Sequence, residues 1–263
     1  MLWHELSSPA IDALDKNMPV VVPIASCEQH GQHLPVFVDT IQVHEIATRV
    51  EAEMSDRILL VPSLWLGSSH HHKDFAGTIS VRPSLFSEII MSIAESILNT
   101  GFRRIVFLNG HGGNVMPGSA ALSELVVDND DADNAYLCLS SWWAVAQNSI
   151  SQDKIESVTA GVSHACEFET SLMLHVRPDL VDMTKIKPWT SPLSSKWHTI
   201  DSISNPVPIF RRFHRLTDSG HMGKPEAATA DKGKAICDAA VSDLKAFLTE
   251  MSTWPELPVI KRS

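Results

Sequence analysis

Pro19-Val20-Val21-Val22-Pro23-Ile24-Ala25-Ser26-Cys27-Glu28-Gln29-His30-Gly31 opens as an unbroken apolar run and ends in a carboxylate and an imidazole two residues apart. A short run without polar alternation is the pattern of a strand buried on both faces of a sheet. Arg104-Ile105-Val106-Phe107-Leu108 repeats the arrangement and leads into Asn109-Gly110-His111-Gly112-Gly113-Asn114. Residues 58–62 and 135–140 are further strand candidates. Between the strands the spacing predicts helices over 39–54, 84–100 and 115–127. In the second of these, Leu85, Ile89, Ile93 and Ile97 recur every four residues between Pro83 and Gly101. This alternation predicts an α/β fold whose mainly parallel sheet is covered by helices on both faces. Residues 183–224, rich in Pro, Ser and aromatics, break the rhythm. They read as an excursion over the site or an oligomer contact, inside one domain spanning 1–263. A last helix is expected over 225–252.

A formal charge of −10 argues against nucleic acid or an anionic membrane as partner, since both need clustered Lys and Arg. No apolar stretch approaches the ~20 residues of a membrane span. Met1-Leu2-Trp3-His4-Glu5 lacks the basic and apolar regions of a secretory signal. Cys27, Cys138, Cys166 and Cys237 show no CxxC spacing and suit buried thiols in a reducing compartment. The expectation is a soluble cytoplasmic protein.

Ligand-type side chains cluster where the predicted strands end, which is where open α/β sheets bind ligands. If residues 26–31 stay extended, Glu28 and His30 point the same way. Asp39 falls near the start of the next helix, where the dipole favours a carboxylate that can bridge two ions. Gly110, Gly112 and Gly113 let the backbone around His111 turn tightly and approach a ligand. Any one of these residues alone is a solvated charge, a cap or a surface histidine. Together, carboxylates and imidazoles at several strand ends point to a metal-assisted hydrolytic site.

Ser163-His164-Ala165-Cys166-Glu167-Phe168-Glu169 adds a further cluster. His164 and Glu169 converge only if His164 precedes the helix, because five residues turn a helix through about 140° from alignment. Geometry leaves Glu167 and Glu169 as competing ligands, with Glu167 otherwise an exposed carboxylate at the helix start. Three adjacent imidazoles, His70-His71-His72, cannot all face one ion in an extended chain. They read as a solvated loop from whose lip one ring, His72, reaches the substrate. His33 reads as a supporting residue, and Cys27 and Cys166 as facing the core.

Glu28-x-His30-Gly31-x-His33-Leu34-Pro35, Asp39, Asn109-Gly110-His111-Gly112-Gly113-Asn114 and His164-x4-Glu169-Thr170-Ser171 resemble the creatininase (creatinine amidohydrolase) family. The likeness runs on through Phe75-Ala76-Gly77-Thr78-Ile79-Ser80 and Gly220-His221-Met222-Gly223-Lys224-Pro225, and so spans nearly the whole chain. It implies a three-layer α/β/α sandwich, two divalent metal ions (Zn and/or Mn), a small-molecule amide substrate and a homo-oligomer, a hexamer in many members. By residue match, Glu28 and His111 would hold one metal and His30 and Glu169 the other. Asp39 would bridge them, and His164 would be the catalytic histidine. Trp142 matches a substrate-side tryptophan. Creatininases proper carry Tyr-Glu where this chain has Gly112 and Gly113, and Trp-Asp where it has Ala160 and Gly161. The Gly-Gly form resembles relatives that deformylate a formamidopyrimidine or trim a modified peptide precursor.

The implied reaction is attack of metal-bound hydroxide on an amide carbonyl, with His164 as general acid and base, on a non-peptide C–N bond. A phosphoesterase on the same centre would need an Arg/Lys clamp, for which only Arg103-Arg104 and Arg211-Arg212 qualify. A non-catalytic metal scaffold would have no use for His164 beside the ions.

Overall fold

The computed structural model describes residues 1–159, 161–193, 195–198, 207, 209–256, 258 and 260. Val20–Ile24 (β1), Leu59–Leu60 (β2), Arg104–Asn109 (β3) and Tyr136–Ser141 (β4) pair in parallel in the order β2-β1-β3-β4. Every residue of β1 and β3 is buried, which is why their sequences carry no polar alternation. Side chains still alternate between faces. Val20, Val22, Ile24, Ile105 and Phe107 join one core, while Val21, Val106 and Leu108 join the other.

Pro83–Asn99 (α2) and Val115–Asp128 (α3) cover the first face through Phe86, Ile90, Ala94, Ala121 and Leu125. Val38–Glu53 (α1), Glu167–Val176 (α4) and Ala230–Met251 (α5) cover the second through Val43, Ile46, Phe168, Leu172, Ile236 and Leu244. Each fully buried side chain of this kind contributes roughly 1.5–3 kcal/mol. The result is a three-layer α/β/α sandwich.

On α2, Phe86, Ile90, Ala94 and Ile97 join the core, Ile93 packs against them, and Leu85, Ile89 and Ile93 line a surface groove with Trp3 and Val61. A four-residue repeat drifts by about 40° per step around a 3.6-residue helix, so it does not stay on one face. The last helix starts at Ala230, not 225. Pro225–Ala227 form a separate 3-10 turn, and Thr229 caps α5 by accepting the Lys232 N–H at 3.2 Å.

Register places the site. Ile24 lies opposite Asn109, and Asn109 opposite Ser141, so β1, β3 and β4 end at one level. The connections leave β1 towards β2 and β3 towards β4, on opposite sides, and the crevice between β1 and β3 is where such sheets bind ligands. Over it lie parts of the 183–224 segment. Phe213 and Met222 pack together with Phe75, Trp189, Leu193 and Leu216. Residues 194, 199–206 and 208 of that segment are outside the described residues. No described helix is long and apolar enough to cross a membrane.

Candidate metal centre

Beyond Ile24 and Asn109 the two chains leave the sheet side by side, and amide side chains replace the lost ladder. Asn109 Oδ1 accepts the His111 N–H at 3.1 Å, and Asn109 Nδ2 donates to the His111 carbonyl at 2.7 Å. Asn114 Nδ2 donates to the Ala25 carbonyl, and its Oδ1 accepts the Ser68 N–H, each at 2.9 Å. An amide both donates and accepts, so Asn at both ends of the loop satisfies buried backbone that has no strand partner.

Glu28, His30, Asp39, His111, His164 and Glu169 converge here, none more than 7% exposed. Asp39 lies in the first turn of α1 and faces both histidines, with Oδ1 3.0 Å from His30 Nε2 and Oδ2 3.0 Å from His111 Nδ1. Ser26 Oγ donates to Asp39 Oδ2 at 2.8 Å. Glu28 Oε2 is 3.3 Å from His111 Nδ1 and accepts a hydrogen bond from Ser69; its Oε1 is 3.5 Å from His164 Nδ1. Glu169, in the first turn of α4, brings Oε1 to 3.9 Å from His30 Nε2. His164 precedes that helix, as convergence requires, and donates from Nε2 to the Gln29 carbonyl at 2.8 Å.

The charges hold one another in unusual states. Burial disfavours the His30 cation, yet Asp39, Glu169 and Glu28 outweigh it and push the imidazole up to about 9. His111 rises well above its ordinary value against the same burial, through Glu28 and Asp39. Burial works against the Glu28 anion, but His111 and His72 carry it well below the usual carboxylate range. Glu169 goes the other way, lifted to about 7 by burial and by Asp39 and Glu28 despite His30. Burial and the His30 cation pull His164 down to about 3.

This donor set fits a metal. His30 Nδ1 donates to the Glu28 carbonyl and His111 Nε2 to the Ser68 carbonyl, each at 3.1 Å. The other nitrogen of each neutral ring is then a lone pair aimed at carboxylate oxygens. That arrangement repels unless a cation, proton or metal, lies between. His30 Nε2 and Glu169 Oε2 are moreover buried without a hydrogen-bond partner among the described residues. Imidazole nitrogen with carboxylate oxygen is the donor set of Zn²⁺ or Mn²⁺, and rings anchored by backbone carbonyls are how metal-binding histidines are oriented. Three groups each bring ligand atoms within 4.8 Å of one another: His30, Asp39 and Glu169; Glu28, His71 and His111; Glu28, His30 and His164.

Other expectations come out differently. Glu167 is buried, not an exposed helix-start carboxylate. Its Oε2 accepts the Val158 and Thr159 N–H groups at 2.8 and 3.1 Å, and its Oε1 pairs with Lys232 at 2.7 Å, away from the crevice. Trp142 lies in the core beneath the sheet edge, and its neighbour Trp143 lines the central cavity instead. His72 is not on a solvated lip: it is buried, receives the Gln29 amide on Nδ1 at 2.8 Å and turns Nε2 towards Glu28 Oε2 at 3.5 Å. Gly112 and Gly113 do line the cavity. Ala160 is outside the described residues. His33 bonds Thr170 Oγ1 at 2.9 Å, and Cys27 and Cys166 are buried.

Gln29, Trp143, Phe213 and Met222 also shape the site; the sequence assigns none of them a site role, although the Trp142-Trp143 pair hints at pocket surface and Met222 lies in the matched run 220–225. Gln29 Nε2 ties His72 to the Gly220 carbonyl, bonding both at 2.8 Å, and Phe213 stacks on His72 with ring centroids 3.9 Å apart. For Gln29 the available signal is its position between Glu28 and His30.

The model of the creatininase (creatinine amidohydrolase) family matches residues 4–248. A mycofactocin precursor peptide peptidase of Mycobacterium tuberculosis is 30% identical over 252 residues, covering 91% of this chain and 88% of that protein. A creatinine amidohydrolase of Pseudomonas putida is 28% identical over 247 residues, 88% of each chain. Among solved structures, a mutant creatininase complexed with creatine has a TM-score of 0.80 at 22% identity, covering 96% of this chain and 98% of that one. A mutant creatininase of Zn-Zn type gives 0.79 at 23% identity, and a creatininase described as Mn gives 0.76 at 23%; each covers 95% of this chain and 97% of its own. A match that takes in both strand ends, the histidine loops and the helices behind them means that the chain belongs to the creatininase family.

Proposed function

We propose that this protein is a metal-dependent amidohydrolase that cleaves an amide C–N bond, with Glu28 and His111 holding one divalent ion, His30 and Glu169 the other, and Asp39 between them. The observation that carries this reading is the pair of imidazole lone pairs, His30 Nε2 and His111 Nδ1, each turned 3.0 Å from an oxygen of the same buried carboxylate. Bound Zn²⁺ or Mn²⁺ would supply a water acidified towards ~7 and a Lewis acid for the amide oxygen.

The protein supplies the rest. His164 hangs from the Gln29 carbonyl by its Nε2–H and presents Nδ1 beside Glu28 Oε1. Held neutral by burial, it takes the proton of the attacking water and passes it to the leaving nitrogen. Trp143, Phe213 and Met222 wall the cavity and limit water. The donors span residues 28 to 169 and Met222 closes over them, so we take residues 1–263 to work as one domain.

The central cavity, about 200 Å³, suits a small cyclic or linear amide. A second reading, trimming of a peptide, is favoured by a groove of about 1030 Å³ that shares His71, Gly112, Gly113 and Phe213 with the cavity and runs on past Met116 and Phe210. The test is elemental analysis of purified protein together with a turnover panel of lactams, formamides, creatinine and short peptides. Turnover of an amide, lost with the metal in Asp39→Ala, is expected. Full turnover by metal-free protein would overturn the proposal, and the panel separates the two readings.

A further inference from the structure

We propose that His71 is a third ligand to the ion held by Glu28 and His111; this rests on the reading above and deepens it. Of the groups whose donor atoms lie within 4.8 Å of one another, two draw on Glu28, His30, Asp39, His164 and Glu169. The remaining one, Glu28, His71 and His111, brings in a side chain from the His70–His72 turn. Without it, the ion between Glu28 and His111 would have those two residues and a share of Asp39; His71 would add one more protein donor beside the position left for water.

Geometry selects His71 from the three adjacent imidazoles. His70 Nδ1 bonds Ser80 Oγ at 2.7 Å, away from the centre. His72 is committed on both edges, to the Gln29 amide and towards Glu28, and its face is covered by Phe213. His71 lies nearly parallel to His111, with centroids 5.6 Å apart and planes 16° from each other, so both rings can direct a nitrogen to one side. The side-chain contacts described for His71 are ring contacts with His72, His111 and Phe213.

Gly113 makes this approach possible. A Cβ there would lie 2.3 Å from the Ser68 carbonyl, 2.5 Å from His111 Nε2 and 2.8 Å from His71 Cε1. No residue with a side chain fits at 113 while His71 and His111 keep these positions. The loop gives up a side chain at 113, and the turn at 70–72 delivers one into the same corner.

The experiment is titration of the metal-free full chain with Zn²⁺ by calorimetry and with Co²⁺ by visible absorption, for wild type, His71→Ala, His71→Gln and Asp39→Ala. Melting of the metal-free variants checks that each folds. Two equivalents are expected in wild type. In both His71 variants one equivalent should weaken about tenfold or more with a changed Co²⁺ spectrum, while the other stays as it was. Isotherms and spectra of both His71 variants that superimpose on wild type would overturn the assignment, and loss of binding in Asp39→Ala would leave the proposed function standing. A wild type that binds neither ion would overturn both.

Discussion

His164 stands clear of α4 because Ala165, the residue after it, takes a left-handed conformation at φ 47°. For an alanine that conformation costs roughly 1–2 kcal/mol, and it is followed at once by Cys166 at the cap and Glu167 at the first helical position. The turn throws His164 towards Glu28 and leaves the ion-facing side chains to other elements. His164→Ala is therefore expected to keep its metal content while turnover falls about 10²–10⁴-fold. Elemental analysis beside steady-state kinetics checks this, and a variant that turned over like wild type would remove His164 from the mechanism. Two residues on, geometry divides a pair of carboxylates that sequence alone leaves tied. Positions 167 and 169 point about 160° apart on a helix, and one sequence does not say which side the crevice is on. Glu169 faces His30, and Glu167 goes to Lys232 and the backbone of residues 158–159. Lys232→Met should leave Glu167 as a buried anion without its cation, at a cost of about 3 kcal/mol and a fall in melting temperature of roughly 6–12 °C by calorimetry. An unchanged melting temperature would show that the two N–H groups suffice. The same one-residue ambiguity explains Trp142 and Trp143: adjacent tryptophans look alike in sequence, and burial gives the first to the core and the second to the cavity.

Elements packed on the sheet were legible from the sequence to the extent that burial imposes a pattern. Strands β1 and β3 show as apolar runs because both faces are covered, and Glu28, His30 and His111 show because they follow those runs directly. On α2 the apolar residues cover a wide arc, so the four-residue repeat marks the helix without marking its inward face. Phe86, Ile90 and Ala94 face the sheet, and Leu85, Ile89 and Ile93 lie beside them on the surface. The 183–224 segment had no period to read, so the positions of Phe213 and Met222 over the crevice were invisible until the chain was folded. Helix α4 packs against α5, and the contact turns on Gly233. A Cβ there would fall 1.8 Å from the Ser171 carbonyl oxygen and 2.5 Å from its carbon, both backbone and unable to swing aside. Gly233→Ala should force the helices apart and destabilise the fold by about 1–3 kcal/mol, with damage to metal binding as well, since Ser171 is two residues from Glu169. Calorimetry and metal content read the two effects together. A variant as stable as wild type would mean that α5 slides on α4 without cost.

At the scale of the whole molecule, the fold concentrates buried carboxylates and imidazoles from four separate stretches of chain around one cavity, and something positive must sit among them. In the loaded protein that would be two ions; in the metal-free protein, protons on His30 and His111. Each ion that binds only the folded state adds about 2.7 kcal/mol when free metal is 100-fold above Kd. Removing both with a chelator should lower the melting temperature by roughly 10–20 °C, and the difference should vanish in Asp39→Ala. The metal-free protein should in addition become pH-sensitive in a defined direction. His30 has a folded value of about 9 against 6.5 for the free side chain. Its proton therefore contributes stability fully below pH 6.5, and that contribution is lost as pH rises through 9. His111, raised by Glu28 and Asp39 against its burial, acts in the same sense. The lowered histidines His33, His71 and His164 change stability only below 6.5 and leave this window alone. Melting curves between pH 6.5 and 9 should fall for the chelated protein and stay level for the protein saturated with Zn²⁺, because an ion occupies the place of the departing proton. Parallel curves for the two forms would mean that no metal sits between these histidines and Asp39.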